Sequence, residues 1–362
     1  MELPEIHRRP TRAVRVGGVT VGGGAPVVVQ SMTNTPTADA EATIEQVRRL
    51  AEAGAELVRV AAASRADTAA LRRIVTASPV PIIADVHFHF ERALEAIDAG
   101  AAKVRLNPGN IRQRSRVRRV IVAARDAGIA IRVGVNEGSV VERVDARRRT
   151  DDLRKGLVEL MVARLDEYLQ VFRDEGFEDL VLSAKSHDAL ATVAVNRELS
   201  RRWDHPLHLG VTHAGTAETG AIRSAAALGA LLAEGIGDTV RISFAGDPLG
   251  EVRAARELLW SLRLRRRDGV ELIACPTCGR TLVDVGGIAE RVRAALADVK
   301  APLTVAVMGC VVNGPGEAEG ADVAVCCGRG RAVLYRRGKR LRTISADEIV
   351  EAVVAEARAL AE

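Results

Sequence analysis

Short β-branched runs alternate with helix-patterned stretches from residue 27 to about residue 260. The runs are VVVQSM (27–32), ELVRVAA (56–62), PIIADV (81–86), KVRLNPG (103–109), AIRVGVN (130–136), DLVLSAKS (179–186), LHLGVT (207–212) and TVRISFAG (239–246). Between them lie segments such as ADAEATIEQVRRLAEAGA and FERALEAIDAGA, apolar at helical spacing with Gly near the end. Successive strand–helix units of this kind predict an α/β fold, a (β/α)8 TIM-type barrel. A doubly wound sheet is the rival, but no GxGxxG follows the first strand. After a last barrel helix at about 249–262, the stretch RLRRRDG reads as a linker, which puts the barrel at 1–264 and a second domain at 265–362. The second part has strand candidates at 303–308, 321–326 and 332–337 and a terminal helix, DEIVEAVVAEARALA, and so predicts a small α+β domain.

In a barrel of this type function sits where the strands end. Several predicted strands carry a basic residue inside an apolar run: Arg59, Arg105, Arg132, Lys185 and Arg241. One buried arginine is readily a structural ion pair. A set of five at near-equivalent positions is costly unless a large negative charge meets them. A phosphate-rich ligand supplies that charge, and guanidinium forks match phosphate oxygens. Ser243 adds a hydroxyl. Gln30, Ser31, Met32, Asp85, His87, Asn107, Asn136, Thr212 and His213 also fall at strand ends. His89 and His187 read as hydrogen-bonded structural residues, whereas His87 follows Asp85 on one loop and is a candidate.

Composition narrows the ligand class. Lys+Arg minus Asp+Glu is 52 − 47, or +5, which suits an anionic small molecule as well as nucleic acid. Aromatics at 2% argue against stacking platforms for single strands, and the basic runs 147–149 and 263–267 are short enough to be solvated helix ends and linkers. No nucleic-acid or membrane partner is expected: no apolar run is long enough to span a bilayer, and MELPEIHRRPTRAVRV lacks the apolar core of a signal peptide.

The five cysteines all fall after residue 270. An odd number clustered at one end suits a metal site in a reducing cytoplasm better than a disulfide framework. Cys275 and Cys278 form CPTC, and Cys310 opens GCVVNGPGE, a turn that ends in Glu317. Zinc accepts such thiolates, but no second CxxC or His pair follows Cys310. An iron–sulfur cluster uses the same ligands. The fourth position is open between Glu317 and the pair Cys326 and Cys327, which end an apolar strand pattern and read better as buried residues.

These motifs resemble the bacterial 4-hydroxy-3-methylbut-2-enyl diphosphate synthase family of the methylerythritol phosphate route to isoprenoids. The resemblance runs over nearly the whole chain, through QSMTNT (30–35), KVRLNPGNI (103–111), IRVGVNEGS (131–139), LHLGVT (207–212), EGIGDTVRIS (234–243), ACPTCGR (274–280) and GCVVNGPGEA (309–318). It implies a barrel followed by a [4Fe-4S] domain, with Cys275, Cys278, Cys310 and Glu317 as cluster ligands. It also implies a cyclic diphosphate substrate, held by Arg59, Arg105, Arg132, Asn136, Lys185, Arg241 and Ser243, with His87 alongside. Asn313 would lie near the substrate, and Asp85, His213 and Glu317 near the chemistry. The reaction so implied is reductive dehydroxylation: two electrons and protons, delivered through flavodoxin or ferredoxin, remove a hydroxyl as water. A cytoplasmic homodimer is implied, in which the cluster domain of one subunit covers the barrel of its partner.

The chain departs from the family at the chemical centre. A GITEAG-like motif reads GVTHAG, so His213 stands where the family has a glutamate, and an imidazole handles protons with a different charge and range. An active synthase is the leading expectation. The alternatives are a divergent cluster-bearing reductase of a related diphosphate and a non-catalytic ligand or redox sensor.

Overall fold

The computed structural model describes residues 5–108, 110–111, 113–140, 156–312 and 314–362. The basic run 147–149, Gly109 and Asn313 therefore lie outside the described residues. The chain divides into two compact units, Met1–Arg265 and Arg266–Glu362.

The first unit opens with a hairpin, β1 (Val14–Val16) and β2 (Val19–Val21), which the strand reading from residue 27 onward did not include. Gly17 turns it with φ at 58°, and a Cβ there would meet Pro81 at 2.9 Å. The eight predicted barrel strands all form: β3 (Val28–Met32), β4 (Leu57–Ala61), β5 (Ile82–Asp85), β6 (Lys103–Leu106), β7 (Ala130–Asn136), β8 (Leu180–Lys185), β9 (His208–Leu209) and β10 (Thr239–Val240). All pair in parallel in the order β8-β7-β6-β5-β4-β3-β10-β9, and a bridge between Leu182 and Leu207 closes the ring. A helix follows each strand, from Ala40–Glu52 after β3 to Pro248–Ser261 after β10. Local chemistry sets where these helices start. Ser64 and Asp67 form a reciprocal capping box, and Asp39, Asp188 and Asp247 cap three others, each cap contributing about 1 kcal/mol.

Strand parity divides the barrel into two cores. Val58, Val60, Ile82, Val104, Ile131 and Leu182 face the helices. Val28, Leu57, Ile83, Ala130 and Val181 face inward and pack on Val14, Val16 and Val21, so the hairpin plugs the N-terminal end of the barrel. Arg265, at the unit boundary, donates to the Val27 carbonyl and pairs with Glu56 at 3.0 Å, which ties the first half of the predicted linker to the barrel.

The second unit is a five-stranded mixed sheet. Parallel β11 (Glu271–Ala274), β12 (Thr304–Met308) and β13 (Val323–Cys327) are extended by antiparallel β14 (Arg331–Arg336) and β15 (Lys339–Ser345). Helices Val285–Ala295 and Ile349–Ala361 cover one face, over Val305, Val307, Val325 and Cys327. The other face holds Ala306, Met308, Ala324 and Cys326 against Ala318 and Ala321. Cys326 and Cys327 are thus fully buried on opposite faces, in keeping with their reading as core residues.

Candidate active site

The inward parity that places Leu57, Ile83 and Ala130 at the barrel floor carries Arg59, Asp85 and Arg132 above them. On β6 both Lys103 and Arg105 share that parity. The barrel interior is therefore basic. Arg59, Lys103, Arg105, Arg132 and Lys185 are buried, and Arg241 nearly so, against the carboxylates Asp85 and Glu251. That is six basic side chains to two carboxylates. At an effective dielectric of about 20, like charges about 4 Å apart repel by about 4 kcal/mol, so such a cluster is stable chiefly when something anionic joins it.

The two carboxylates are fully engaged. Asp85 lies 3.3 Å from Arg105, 3.6 Å from Arg59 and 3.6 Å from the His87 ring. Burial alone would raise its carboxyl, but Arg59, His87, Arg105 and Arg132 outweigh burial and hold it far below the usual carboxylate range. Glu251, from the helix after β10, holds Arg241 at 3.1 Å and accepts the Phe244 N–H. Arg59 also donates to the Met32 sulfur at 2.9 Å. Lys185 Nζ is 3.0 Å from His208 Nε2. Arg132, 1% exposed, has no partner among the described residues for Nε and Nη1, and neither has the Nζ of Lys103, 0% exposed. Burial first, then Arg132 and Arg59, pushes both lysines well below the ordinary lysine range. Buried donors without acceptors are expensive; here they converge on one interior, as a site built for an anion requires.

Other predicted residues stand at the mouth. Asn136 ends β7 in register with Lys185. The Ser243 hydroxyl donates to the Val211 carbonyl at 2.9 Å, so its proton is already engaged. His213 is exposed, 3.3 Å from the Thr212 hydroxyl, and adopts φ 51°, a left-handed conformation uncommon outside glycine. His187 is bound to Glu137 at 2.8 Å, which matches its reading as a hydrogen-bonded residue, whereas His89 starts a helix, is exposed and makes no side-chain capping hydrogen bond.

The sequence reading missed Lys103, His208 and Glu251. Lys103 is two residues before Arg105, so period-2 alternation could have paired them. His208 is hidden in the apolar run LHLGV, and Glu251 in a helix whose acidic residues look solvated.

In the second unit, β11 and β12 run parallel, with Ala274 opposite Val307, so Cys275 and Cys310 leave the same edge of the sheet. The Gly309 N–H donates to Cys275 Sγ at 3.1 Å, and the Arg280 backbone and Thr281 lower the Cys278 thiol. Backbone donors aimed at sulfur favour thiolates, the form that binds iron. Among the described residues no three His, Cys, Asp or Glu donors meet at one point. A four-iron cluster takes one ligand at each iron, so its ligands need not meet at a point, and three thiols at one sheet edge fit it in donor chemistry. Glu317 ends the short helix Gly314–Glu317, and its side chain lies outside the described residues. Cys326 neighbours Met308 across the β12–β13 pair and is fully buried in the apolar face with Ala306 and Ala324. That favours a protonated core thiol over a ligand.

Comparison with known proteins adds two independent matches. Residues 11–256 match the GcpE TIM-barrel domain, and residues 271–359 match the GcpE protein C-terminal domain. Curated relatives carry the name 4-hydroxy-3-methylbut-2-en-1-yl diphosphate synthase (flavodoxin). The Salinispora tropica protein is 47% identical over 99% of this chain and 91% of its own length. The Geobacter sulfurreducens protein is 46% identical over 96% of each, and the Bacillus subtilis protein 43% identical over 100% of this chain and 95% of its own.

Proposed function

The chain belongs to the GcpE family, and from that membership and the basic barrel interior we propose that it is a 4-hydroxy-3-methylbut-2-enyl diphosphate synthase. It reductively opens 2-C-methyl-D-erythritol 2,4-cyclodiphosphate and removes one hydroxyl as water. The observation that carries the reading is the excess of buried basic side chains, with Arg132 Nε and Nη1 and Lys103 Nζ lacking hydrogen-bond partners among the described residues.

Arg59, Arg105, Arg132, Lys185 and Arg241 bind the diphosphate, with Asn136 and Ser243 at the rim. Ser243 must release the Val211 carbonyl to donate to an oxygen of the substrate. His87, on the loop beyond Asp85, contacts substrate from the mouth. The Asp85 carboxylate, ionised and clamped by Arg59 and Arg105, serves these cations as an orienting counter-charge rather than as a proton donor. His213, exposed at the strand end, is the group placed to hand a proton to the departing hydroxyl. A [4Fe-4S] cluster on Cys275, Cys278, Cys310 and Glu317 supplies electrons one at a time when bound, and Asn313 adjoins it in sequence. The electron donor is a flavodoxin, as the relatives' name states for them, with ferredoxin the alternative. The working form is a homodimer. Among the described residues no helix is long and apolar enough to cross a membrane.

The phosphate half of this reading is tested by titrating the chain with inorganic pyrophosphate in a calorimeter. Arg132→Met should weaken binding by about 30-fold or more, the loss expected for a charge-assisted hydrogen-bonding pair. Equal affinity in the variant would place the diphosphate elsewhere.

A further inference from the structure

Lys185 does not stand alone in the barrel. Its Nζ lies 3.0 Å from His208 Nε2, and His208 Nδ1 lies 2.6 Å from the Thr239 hydroxyl, with His208 and Thr239 fully buried. Gly210, two residues along, leaves room for the lysine, since a Cβ there would sit 2.6 Å from Nζ. In the ammonium form that a bound anion favours, Lys185 has donors and no acceptor, so Nε2 must accept, and Nδ1 then carries the ring proton and donates to Thr239 Oγ1. Burial and the adjoining Lys185 keep the imidazole neutral, which leaves that lone pair available. A positive imidazole here would have no lone pair to offer and would add to the repulsion.

We propose that His208 is a positioning residue for anion binding: held in its Nδ1–H form by Thr239, it accepts a hydrogen bond from Lys185 and fixes the ammonium at the centre of the basic cluster. The proposal rests on the phosphate reading above. It accounts for a histidine at full burial among cations, where an apolar residue would fill the same space at less cost. It also accounts for Gly210, because the lysine occupies the volume a side chain would need.

Two measurements on the full chain test it. The first is 15N spectroscopy of histidine-labelled protein saturated with inorganic pyrophosphate, taking the resonance lost in His208→Gln as that of His208. The expected state has Nδ1 protonated and Nε2 bare; a protonated Nε2 overturns the proposal. The second is calorimetric titration with inorganic pyrophosphate. His208→Leu should weaken binding about tenfold or more, while His208→Gln, whose amide oxygen can accept, should stay within about threefold. In a Lys185→Met background, His208→Leu should add nothing beyond about twofold. The same loss in both backgrounds would assign His208 to general barrel packing and overturn the proposal. Failure of the unaltered chain to take up pyrophosphate would sink the phosphate reading itself, and the proposal with it. That outcome is distinguishable from a failure confined to the variants.

Discussion

Asp85 Oδ1 lies 3.3 Å from Arg105 Nη1 across a register pair of adjacent barrel strands, both side chains buried. Breaking such a pair from one side leaves a cation uncompensated, and Arg59 depends on the same carboxylate. Asp85→Asn should destabilise the chain by about 3 kcal/mol, a fall in Tm of roughly 5–10 °C by thermal denaturation. The charge explanation requires millimolar pyrophosphate to restore part of the loss; a fall unaffected by the anion would mean lost packing. The pH dependence has a definite sign. A carboxyl lowered in the folded state contributes stability above its unfolded value of about 3.9, lost only as pH falls through the lower folded value. The gap between Asp85→Asn and the unaltered chain should therefore persist from pH 7 to pH 5.

Lys103 and Lys185 lie well below the ordinary lysine range, chiefly through burial and then through Arg132 and Arg59. A bound anion favours the ammonium form, so binding takes up protons. Sulfate does not itself titrate near neutrality and isolates this effect. Its affinity should fall as pH rises from 7 to 9, and less so in Lys103→Met. A flat profile would show that the lysines are fully charged without ligand.

Gly210→Ala puts a methyl 2.6 Å from Lys185 Nζ, with the Arg241 carbonyl 2.9 Å away on the backbone side. Pyrophosphate affinity should drop by about tenfold or more while the far-ultraviolet circular dichroism stays unchanged. Unaltered affinity would mean the lysine can bind from another rotamer.

Cys275→Ser, Cys278→Ser and Cys310→Ser should each reduce iron content and the visible absorbance of the reconstituted chain by more than about half. Cys326→Ser should retain both, because that thiol sits in the core beneath Gly314. Loss of iron in Cys326→Ser with retained folding would instead make it a ligand.

Much of this was legible before any coordinates. Strand–helix alternation predicted the barrel because parallel strands buried on both faces read as short apolar runs, and a basic residue inside such a run stands out. What escaped did so for physical reasons. The hairpin VRVGGVTV is too short for a periodicity argument, though its Gly pair marked the turn. β15, KRLRTIS, is a charged edge strand with Ile344 its one buried residue, so it lacks the apolar pattern. Lys103 and His208 were passed over because their burial among cations is set by partners distant in sequence. Asp85 was expected near the chemistry, and its contacts with Arg59 and Arg105 come from strands distant in sequence. Asn313, expected near the substrate, and the Glu317 side chain, expected at the cluster, lie outside the described residues.

The most direct measurement is turnover. The chain, purified anaerobically and reconstituted with iron and sulfide, is given 2-C-methyl-D-erythritol 2,4-cyclodiphosphate and a chemical reductant, with products read by mass spectrometry. The account predicts 4-hydroxy-3-methylbut-2-enyl diphosphate, with His213 supporting the reaction in place of a glutamate. A loaded cluster with substrate bound but unreacted would contradict it.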